Sequence, residues 1–134
     1  MITLVDSNVL LDVLTDDPRW GARSAEALAG AADQGRLAIN PIVYAEVSVG
    51  FANVEDLDAA LPPDIFERLP LPWDAGFLAG KCFVRYRRGG GGERRSPLPD
   101  FYIGAHAAIQ GFNLLTRDAR RYRTYLPKLA VITP

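Results

Sequence analysis

Cysteine and histidine are almost absent from this sequence of 134 residues, which contains one of each, Cys82 and His106. A single cysteine excludes a disulfide within the chain and is typical of proteins from a reducing compartment, so we expect a cytoplasmic protein. With one cysteine and one histidine, the chain also lacks the ligand spacing of a zinc site. Its chemistry must therefore rest on other side chains.

Long hydrophobic runs and a basic N-terminal segment are lacking as well. No apolar run approaches the roughly 20 residues that a membrane-spanning helix requires, so we expect no membrane association. The opening residues, MITLVD, carry no basic region, and we do not expect a signal peptide. Hydrophobic residues make up 49% of the chain, enough to form a core. The length predicts one domain covering residues 1–134.

The net charge is −1, so neither acidic nor basic residues are in large excess, but the two kinds are distributed unevenly along the chain. Residues 1–80 contain four arginines and 13 acidic residues, a net charge of −9. Residues 81–123 contain ten basic and three acidic residues, a net charge of +7. Most of these basic residues are arginines, which bind phosphate oxygens through paired hydrogen bonds. The basic segment is either a phosphate-binding surface or an ordinary solvated face, and composition leaves both open.

Short apolar segments alternate with helical patterns along the chain. The predicted strands cover residues 2–5, 37–39, 66–71, 113–116 and 129–132. The predicted helices cover residues 8–14, 18–35, 41–51, 54–60, 73–86, 99–111 and 118–125. Two of these helices begin with a capping residue followed by proline, Asp17-Pro18 and Asn40-Pro41. Such alternation predicts a parallel sheet covered by helices on both faces.

Acidic and polar residues follow two of the predicted strands directly. Asp6 comes directly after the first strand. Thr116 is the last residue of the strand predicted at 113–116, and Asp118 follows that strand. In parallel α/β folds, ligands bind beyond the carboxyl ends of the strands. Each of the two aspartates also has a simpler interpretation, because either one could merely begin a helix. Together they predict a functional site at this edge of the sheet.

Two further carboxylates fit the same site. Glu46 lies in the helix predicted at 41–51, where its neighbours one turn away are all uncharged. On such an apolar face the carboxylate needs a cation or a proton, unless it lines the edge of the core and reaches water. Asp100 begins the helix predicted at 99–110, where an acid favours the helix dipole in any case.

A metal ion would reconcile these four acids. Carboxylates converging without a basic partner repel one another, and a hard divalent cation removes the repulsion. Ligation by oxygen alone favours Mg²⁺ or Mn²⁺ over zinc. Asn8 and Thr116 lie close to these acids in sequence and could orient the carboxylates or an attacking water molecule.

Four segments of the sequence resemble the motif blocks of PIN-domain proteins, in the order that this family has them. They are LVDSNVLLD, YAEV, LPDFYIGAHA and LLTRD. More narrowly, they resemble VapC-type toxins of bacterial toxin–antitoxin pairs, and the resemblance covers nearly the whole chain. Ser7 stands where many relatives have threonine, which keeps a hydroxyl group at this position. By this resemblance the catalytic and metal-binding quartet is Asp6, Glu46, Asp100 and Asp118, supported by Asn8 and Thr116.

The resemblance implies a fold, an activity and partners. The fold is a three-layer α/β/α sandwich with a short, mostly parallel central sheet. The activity is hydrolysis of RNA phosphodiester bonds with Mg²⁺ or Mn²⁺. The implied partners are a second copy in a homodimer and a separately encoded antitoxin that blocks the site. The RNA backbone would be held by Arg87, Arg88, Arg94 and Arg95.

Two other functions compete with the ribonuclease. One is a non-catalytic RNA-binding or interaction domain of PIN fold, which the presence of all four acids disfavours. The other is a phosphotransfer or phosphatase domain, which usually has an Asp-x-Asp pair after the first strand, whereas residue 8 is Asn. His106 lies six positions after Asp100, on another face of the helix, so we expect it to pack or to hydrogen-bond. Asp12 is expected to be exposed.

Overall fold

The computed structural model describes residues 1–92 and 96–134, so Arg94 and Arg95, both predicted to bind RNA, lie outside the described residues. Within the described part the chain forms five strands and seven helices. Their order is β1 Ile2–Val5, α1 Ser7–Leu14, α2 Gly21–Gln34, β2 Arg36–Ile39, α3 Pro41–Ser48, α4 Val54–Ala60, β3 Phe66–Arg68, α5 Trp73–Arg88, α6 Leu98–Gln110, β4 Asn113–Leu115, α7 Ala119–Tyr125 and β5 Val131–Ile132.

The strands form one sheet in the order β3-β2-β1-β4-β5, and all four pairings are parallel. This confirms the predicted α/β fold with a short parallel sheet between helices. The chain moves outward from β1 to β3 and then returns to the other side for β4 and β5. Since crossovers between parallel strands are right-handed, this reversal places helices on both faces. The order reverses between β1 and β4, which is where α/β folds open a crevice for ligands.

The central strands are buried because their side chains are apolar on both faces of the sheet. Leu4, Val5, Leu114 and Leu115 have no exposed surface, and they belong to the same core as Ile39 of β2. A strand that is buried on both faces loses the alternation of polar and apolar residues. This is why these short segments were recognisable in the sequence.

Several predicted boundaries were wrong by a few residues. Helix α2 begins at Gly21 rather than at Pro18, because Asp17 Oδ1 accepts the backbone N–H groups of Arg19 and Trp20, at 2.9 and 2.8 Å, and holds a turn there. Strand β3 ends at Arg68, ahead of Pro70, and it is the edge strand of the sheet. Helix α3 ends at Ser48 instead of residue 51.

Asn40 connects α3 to α6 through both ends of its side chain. Its Oδ1 accepts the N–H of Val43 at 3.0 Å and so caps α3, with Pro41 in the first turn. Its Nδ2 lies 3.1 Å from His106 Nδ1 in α6. His106 is buried, and this burial lowers its pKa. The hydrogen-bonding role expected for His106 is confirmed, and the contact fixes α3 relative to α6.

Helix α5 packs on α6, and the Tyr86 ring lies edge-on against that of Phe101 in α6. Its buried residues are Ala75, Ala79, Cys82 and Tyr86. The stripe of larger apolar residues that reveals the helix in the sequence therefore faces outward. Among the described residues, no helix is both long enough and apolar enough to cross a membrane.

Candidate metal centre

Three of the four predicted carboxylates meet at one point. Asp6, Glu46 and Asp100 each offer an oxygen atom, and these three atoms lie within 4.8 Å of one another. Asp6 directly follows β1, Glu46 lies in α3, and Asp100 lies in the first turn of α6. The carboxylates therefore converge at the carboxyl edge of the sheet, beside the point where the strand order reverses.

Asp6 is the most buried of the three, with 3% of its surface exposed. Its Oδ1 accepts the N–H of Ser7 at 2.8 Å, and its Oδ2 accepts hydroxyl groups from Thr116 at 2.8 Å and from Tyr122 at 3.1 Å. Burial raises the pKa of Asp6 to about 6, and the charges of Asp100 and Glu46 act in the same direction. The hydrogen bonds from Thr116 and Tyr122 oppose this shift. Without a cation, the ionised form of Asp6 is therefore disfavoured at this position.

Thr116 and Asn8 surround Asp6, as the motif spacing suggests. Thr116 Oγ1 donates to Asp6 and accepts the N–H of Asp118 at 3.0 Å. Asn8 Nδ2 lies 3.4 Å from Thr116 Oγ1, and Asn8 Oδ1 accepts the N–H of Arg117 at 3.2 Å. These contacts join the turn after β4 to the start of α1, so the two neighbouring strand ends hold one arrangement around the Asp6 carboxylate.

Glu46 lies at the edge of the core rather than on a wholly apolar face. Val43, one turn before it, is buried, whereas Val49, three residues after it, is 87% exposed. The predicted apolar environment is thus correct on one side only. Ser7 Oγ donates a hydrogen bond of 2.9 Å to Glu46 Oε1, a role that the sequence analysis did not assign to Ser7. The hydroxyl group orients the carboxylate toward Asp6.

Tyr122 was also missed. Its ring is buried against Gly104, where an added Cβ would stand 2.7 Å from two ring carbons. Glycine at this position of α6 therefore allows the ring to approach and the hydroxyl to reach Asp6. Burial raises the pKa of Tyr122 well above its usual range, and the charge of Asp6 adds to the effect, so the hydroxyl remains a donor. Tyr122 lies four residues after Asp118, a helical spacing that was the available signal.

Asp118 stands apart from the three carboxylates that meet, and Arg121 joins it to them. Arg121 Nη1 lies 2.9 Å from Asp100 Oδ2, and Arg121 Nε lies 3.7 Å from Asp118 Oδ2. The Arg121 side chain is 17% exposed, compared with 44% for that of Asp118. The prediction that the acids converge without a basic partner is wrong. Arg121 neutralises part of the acidic charge from within the chain.

Asp12, expected to be exposed, is buried, with 3% of its surface accessible. Its Oδ2 accepts a hydrogen bond from Ser24 Oγ at 2.8 Å and lies 3.0 Å from Arg117 Nε. The Arg117 guanidinium also lies 5.0 Å from the centroid of the Trp20 ring. The expectation failed because the ion pair with Arg117 and the hydrogen bond from Ser24 offset the cost of burying the Asp12 carboxylate. Asp12 fixes α2 and the turn after β4 to α1.

With this geometry established, comparison with known sequences decides the family. The PIN domain family matches residues 3–126, which is most of the chain. This chain belongs to the PIN-domain family. No curated protein matches the sequence.

Solved structures with the same fold come from several bacteria. The PIN domain is similar to the VapBC-1 structure from nontypeable Haemophilus influenzae, with a TM-score of 0.74 and 20% identity over 99% of this chain and 98% of that one. It is similar to VapBC2 from Rickettsia felis bound to a promoter DNA fragment, with a TM-score of 0.71, 20% identity and coverage of 99% and 98%. VapBC-5 from Mycobacterium tuberculosis, a member of a family of toxin–antitoxin systems, aligns with a TM-score of 0.59, 22% identity and coverage of 98% and 96%. These similarities show a shared fold.

The donor set of this PIN domain fits a hard divalent cation. The three oxygen atoms that meet belong to carboxylates on three different elements, and Asp6 carries a pKa raised by burial and by like charges. A bound cation would reverse both effects, since it favours the ionised carboxylate. Oxygen ligands are those that Mg²⁺ and Mn²⁺ prefer. The site is compatible with a divalent metal, as is general for the family.

Replacing Arg121 of the PIN domain by Ala should tighten Mn²⁺ binding by about tenfold, because its guanidinium competes with the cation for Asp100. The measurement is the free Mn²⁺ signal in electron paramagnetic resonance during a titration at pH 7.5 without RNA. Arg120→Ala is the matched control, since Arg120 is the exposed neighbour on α7 and its loss removes the same charge. Equal affinities for the two variants would show that Arg121 does not compete with the cation.

Proposed function

We propose that this PIN domain is a Mg²⁺- or Mn²⁺-dependent endoribonuclease that acts as the toxin of a toxin–antitoxin pair in the cytoplasm. The observation that carries the proposal is the meeting of the Asp6, Glu46 and Asp100 carboxylates within 4.8 Å at the carboxyl edge of the sheet. Family membership supports the nuclease chemistry, because PIN domains are generally metal-dependent nucleases. The similarity to toxin–antitoxin structures supports the biological role.

The proposed chemistry is hydrolysis of an RNA phosphodiester bond. When bound, the cation supplies a Lewis acid and lowers the pKa of coordinated water. Asp6, Glu46 and Asp100 would hold it, while Thr116 and Tyr122 fix one Asp6 oxygen by hydrogen bonds of 2.8 and 3.1 Å. These neutral donors keep the carboxylate oriented without competing for the positive charge.

Asp118 completes the proposed catalytic quartet in a different role. Its side chain is 44% exposed, and its backbone N–H is fixed to Thr116 Oγ1 at 3.0 Å. A half-exposed carboxylate that Arg121 joins to Asp100 can orient a water molecule and accept a proton from it. Arg121, between Asp118 and Asp100, would be available to an RNA phosphate if a bound cation took its place at Asp100.

The proposed RNA-binding residues lie before Asp100 in sequence. Arg87 and Arg88 are exposed in the last turn of α5. Arg94 and Arg95 follow a run of four glycines in the sequence. These arginines would hold the backbone phosphates while the carboxylates hold the cation.

The proposed partners are an antitoxin and a second copy of the chain. The related structures from Haemophilus influenzae and Rickettsia felis are VapBC complexes, and the second was solved with promoter DNA. For this PIN domain we propose a cognate antitoxin that covers the acidic cluster, together with a homodimer.

Cleavage of RNA should require Mg²⁺ or Mn²⁺ and should disappear when a chelator removes the ion, because the three carboxylates cannot activate water without it. The measurement is the cleavage of 5′-labelled total transfer RNA and messenger RNA by the purified chain. It is made with each metal, with excess EDTA, and after the metal is restored. Restored cleavage serves as the control for irreversible damage. RNA that stays intact under every metal condition but remains bound would contradict the nuclease and favour a non-catalytic RNA-binding domain.

A further inference from the structure

Three arginine guanidinium groups lie around one tryptophan ring at the turn between α1 and α2. The distances from the centroid of the Trp20 ring to the guanidinium carbons are 4.6, 5.0 and 5.6 Å for Arg23, Arg117 and Arg19. All three distances are short enough for a cation–π interaction. We call Trp20, Arg19, Arg23 and Arg117 the Trp20 cluster. The packing of the fold accounts for one of its charges, that of Arg117 beside Asp12.

The Trp20 cluster lies at the same edge of the sheet as the candidate metal centre. Arg117 belongs to the turn after β4, where its backbone N–H donates to Asn8 Oδ1 at 3.2 Å while its guanidinium group lies over the Trp20 ring. Arg23 Nη2 lies 3.3 Å from the backbone oxygen of Pro134, just beyond the carboxyl end of β5. One arginine residue therefore connects the surroundings of the acidic residues with the tryptophan ring.

The acidic residues near the Trp20 cluster are already occupied by contacts within the chain. Asp12 is buried and pairs with Arg117 at 3.0 Å. Asp17 Oδ1 accepts the backbone N–H groups of two following residues, and these hydrogen bonds lower its pKa. Arg19 and Arg23, in contrast, are exposed. The outer surface of the cluster is therefore positively charged and open to an anion.

A guanidinium group that contacts an aromatic ring still has N–H groups for other partners. The group has five N–H donors in its plane, and contact through its face uses none of them. Such donors bind phosphate oxygens in pairs. Proteins that hold single-stranded nucleic acid without reading its sequence likewise combine positive charge with aromatic rings. The Trp20 cluster therefore has the chemistry of a site for RNA backbone phosphates.

The Trp20 cluster and the arginines of α5 lie on different sides of the molecule. The crossover from β1 to β2 contains α1 and α2, whereas the crossover from β3 to β4 contains α5 and α6 and runs in the opposite direction across the sheet. Because such crossovers are right-handed, the two pairs of helices cover opposite faces. The acidic cluster lies at the edge between these faces. An RNA strand that crosses this edge can thus be held on both sides of the carboxylates.

We propose that the Trp20 cluster is a second RNA-binding site, which holds backbone phosphates of a single strand on the side of the carboxylates opposite to α5. Arg19 and Arg23 contact the phosphates, and Trp20 is a positioning residue that holds their guanidinium groups in place. Arg117 connects this site to the metal centre. The inference rests on the RNA substrate of the proposed function, but it does not depend on cleavage.

The first test is fluorescence anisotropy with 5′-fluorescein-labelled oligouridine, in EDTA so that the RNA stays intact. The double variant Arg19→Ala with Arg23→Ala should bind about tenfold more weakly than the wild type at 0.1 M salt. The slope of log affinity against log salt should flatten by about 1.4, which is about 0.7 for each lost phosphate contact. Arg36→Ala with Lys128→Ala is the matched control, since it removes two positive charges at the opposite edge of the sheet.

Two results would overturn the inference, and they differ in what they mean for the proposed function. If the wild type binds and cleaves RNA but the double variant binds oligouridine as tightly as the control does, the Trp20 cluster is not an RNA site and the nuclease stands. If the wild type neither binds nor cleaves RNA, the proposed function fails together with the inference.

The second test observes Trp20 directly. In a Trp73→Phe background Trp20 is the remaining tryptophan, and its emission should change in a saturable manner when oligouridine is added. Inorganic phosphate at the same concentration of phosphate groups should have little effect, because separate ions gain nothing from contacts elsewhere on one chain. An equal change with inorganic phosphate would show a site for a free anion and overturn the RNA assignment. Unchanged emission in a variant that binds oligouridine would show that the strand passes elsewhere.

The third test examines the role of the ring. Trp20→Leu should weaken oligouridine binding severalfold, whereas Trp20→Phe should retain most of the affinity, because a smaller aromatic ring can still hold the guanidinium groups. Both variants are compared at the same fraction folded, measured by urea unfolding. Equal affinities of the leucine and phenylalanine variants would overturn the positioning role of Trp20.

Discussion

Asp6→Asn is expected to lower the rate of RNA cleavage by about a thousandfold or more. Asp6 contributes a charged oxygen to the group of three carboxylates, and its carboxylate accepts hydrogen bonds from Ser7, Asn8, Thr116 and Tyr122. Asparagine occupies the same volume but brings no negative charge, so the cation is held less tightly and in a less defined position. The measurement is single-turnover cleavage at saturating RNA and metal.

The same substitution should stabilise the metal-free fold above pH 6. Asp6 has a pKa of about 6 in the folded chain, compared with an ordinary value of 3.8. The folded state therefore binds this proton more tightly than the unfolded state does, and the free energy of unfolding falls as pH rises from 3.8 to about 6. Asparagine has no charge to bury, so the variant avoids this loss of stability. Its free energy of unfolding at pH 7.5 should exceed that of the wild type by about 1–2 kcal/mol. This gain in stability is smaller than the full pKa shift of Asp6 implies, because asparagine has only one oxygen to accept hydrogen bonds.

Urea unfolding between pH 4 and pH 8 in EDTA measures the stability effect. Asp33→Asn is the matched control, since Asp33 is exposed on α2 and the chemical change is the same. The control should cleave RNA at the wild-type rate and keep the wild-type pH dependence of unfolding. Cleavage by Asp6→Asn within tenfold of the wild type would exclude Asp6 as a metal ligand. An unchanged pH dependence would contradict the burial of its charge.

Replacing Arg87, Arg88, Arg94 and Arg95 by Ala is expected to weaken RNA binding by about 100-fold at 0.1 M salt. Each phosphate contact releases counterions from a single strand, so the slope of log affinity against log salt should flatten by about 0.7 per lost contact. Cleavage of saturating RNA should survive better than affinity, because the carboxylates remain. Binding and single-turnover cleavage are measured together at several salt concentrations.

This comparison distinguishes the enzyme from a non-catalytic RNA-binding domain. Such a domain would lose affinity for RNA in the variant but would show no cleavage in either protein. The control variant is Arg36→Ala with Lys128→Ala, which removes positive charge near the amino ends of β2 and β5, at the opposite edge of the sheet. Unchanged affinity and an unchanged salt slope would show these arginines to be a solvated face.

The fold and three members of the acidic cluster follow from local patterns in the sequence. Short apolar strands between helices imply a parallel sheet, and a parallel sheet brings Asp6 and Thr116 to one edge whatever the details of packing. Asp100 lies in the first turn of the helix that precedes β4, and Glu46 lies in the short helix that begins directly after β2, so both reach the same edge. None of these predictions requires the position of a distant side chain.

The remaining features depend on tertiary packing. Arg121 and Tyr122 reach the cluster because α7 lies across α6, and Gly104 provides the space for the tyrosine ring. The burial of Asp12 depends on Arg117, 105 positions away in the sequence. Periodicity in α5 identifies a helix but does not show which face is buried. There the face that carries Ala79, Cys82 and Tyr86 is buried, and Trp73 is left outside.

The contact between Asn40 and His106 has a consequence for sequence variation among homologues. Asn40 Oδ1 caps α3, which leaves Nδ2 to donate, so His106 Nδ1 must be the acceptor and its ring proton must be on Nε2. A substitution at position 40 that keeps the cap but shortens the side chain, such as serine, would leave the buried imidazole without this partner. Substitutions at positions 40 and 106 are therefore expected to be correlated. Covariation between positions 40 and 106 would show that the contact between them is maintained. That contact keeps α3, which carries Glu46, next to α6, which carries Asp100.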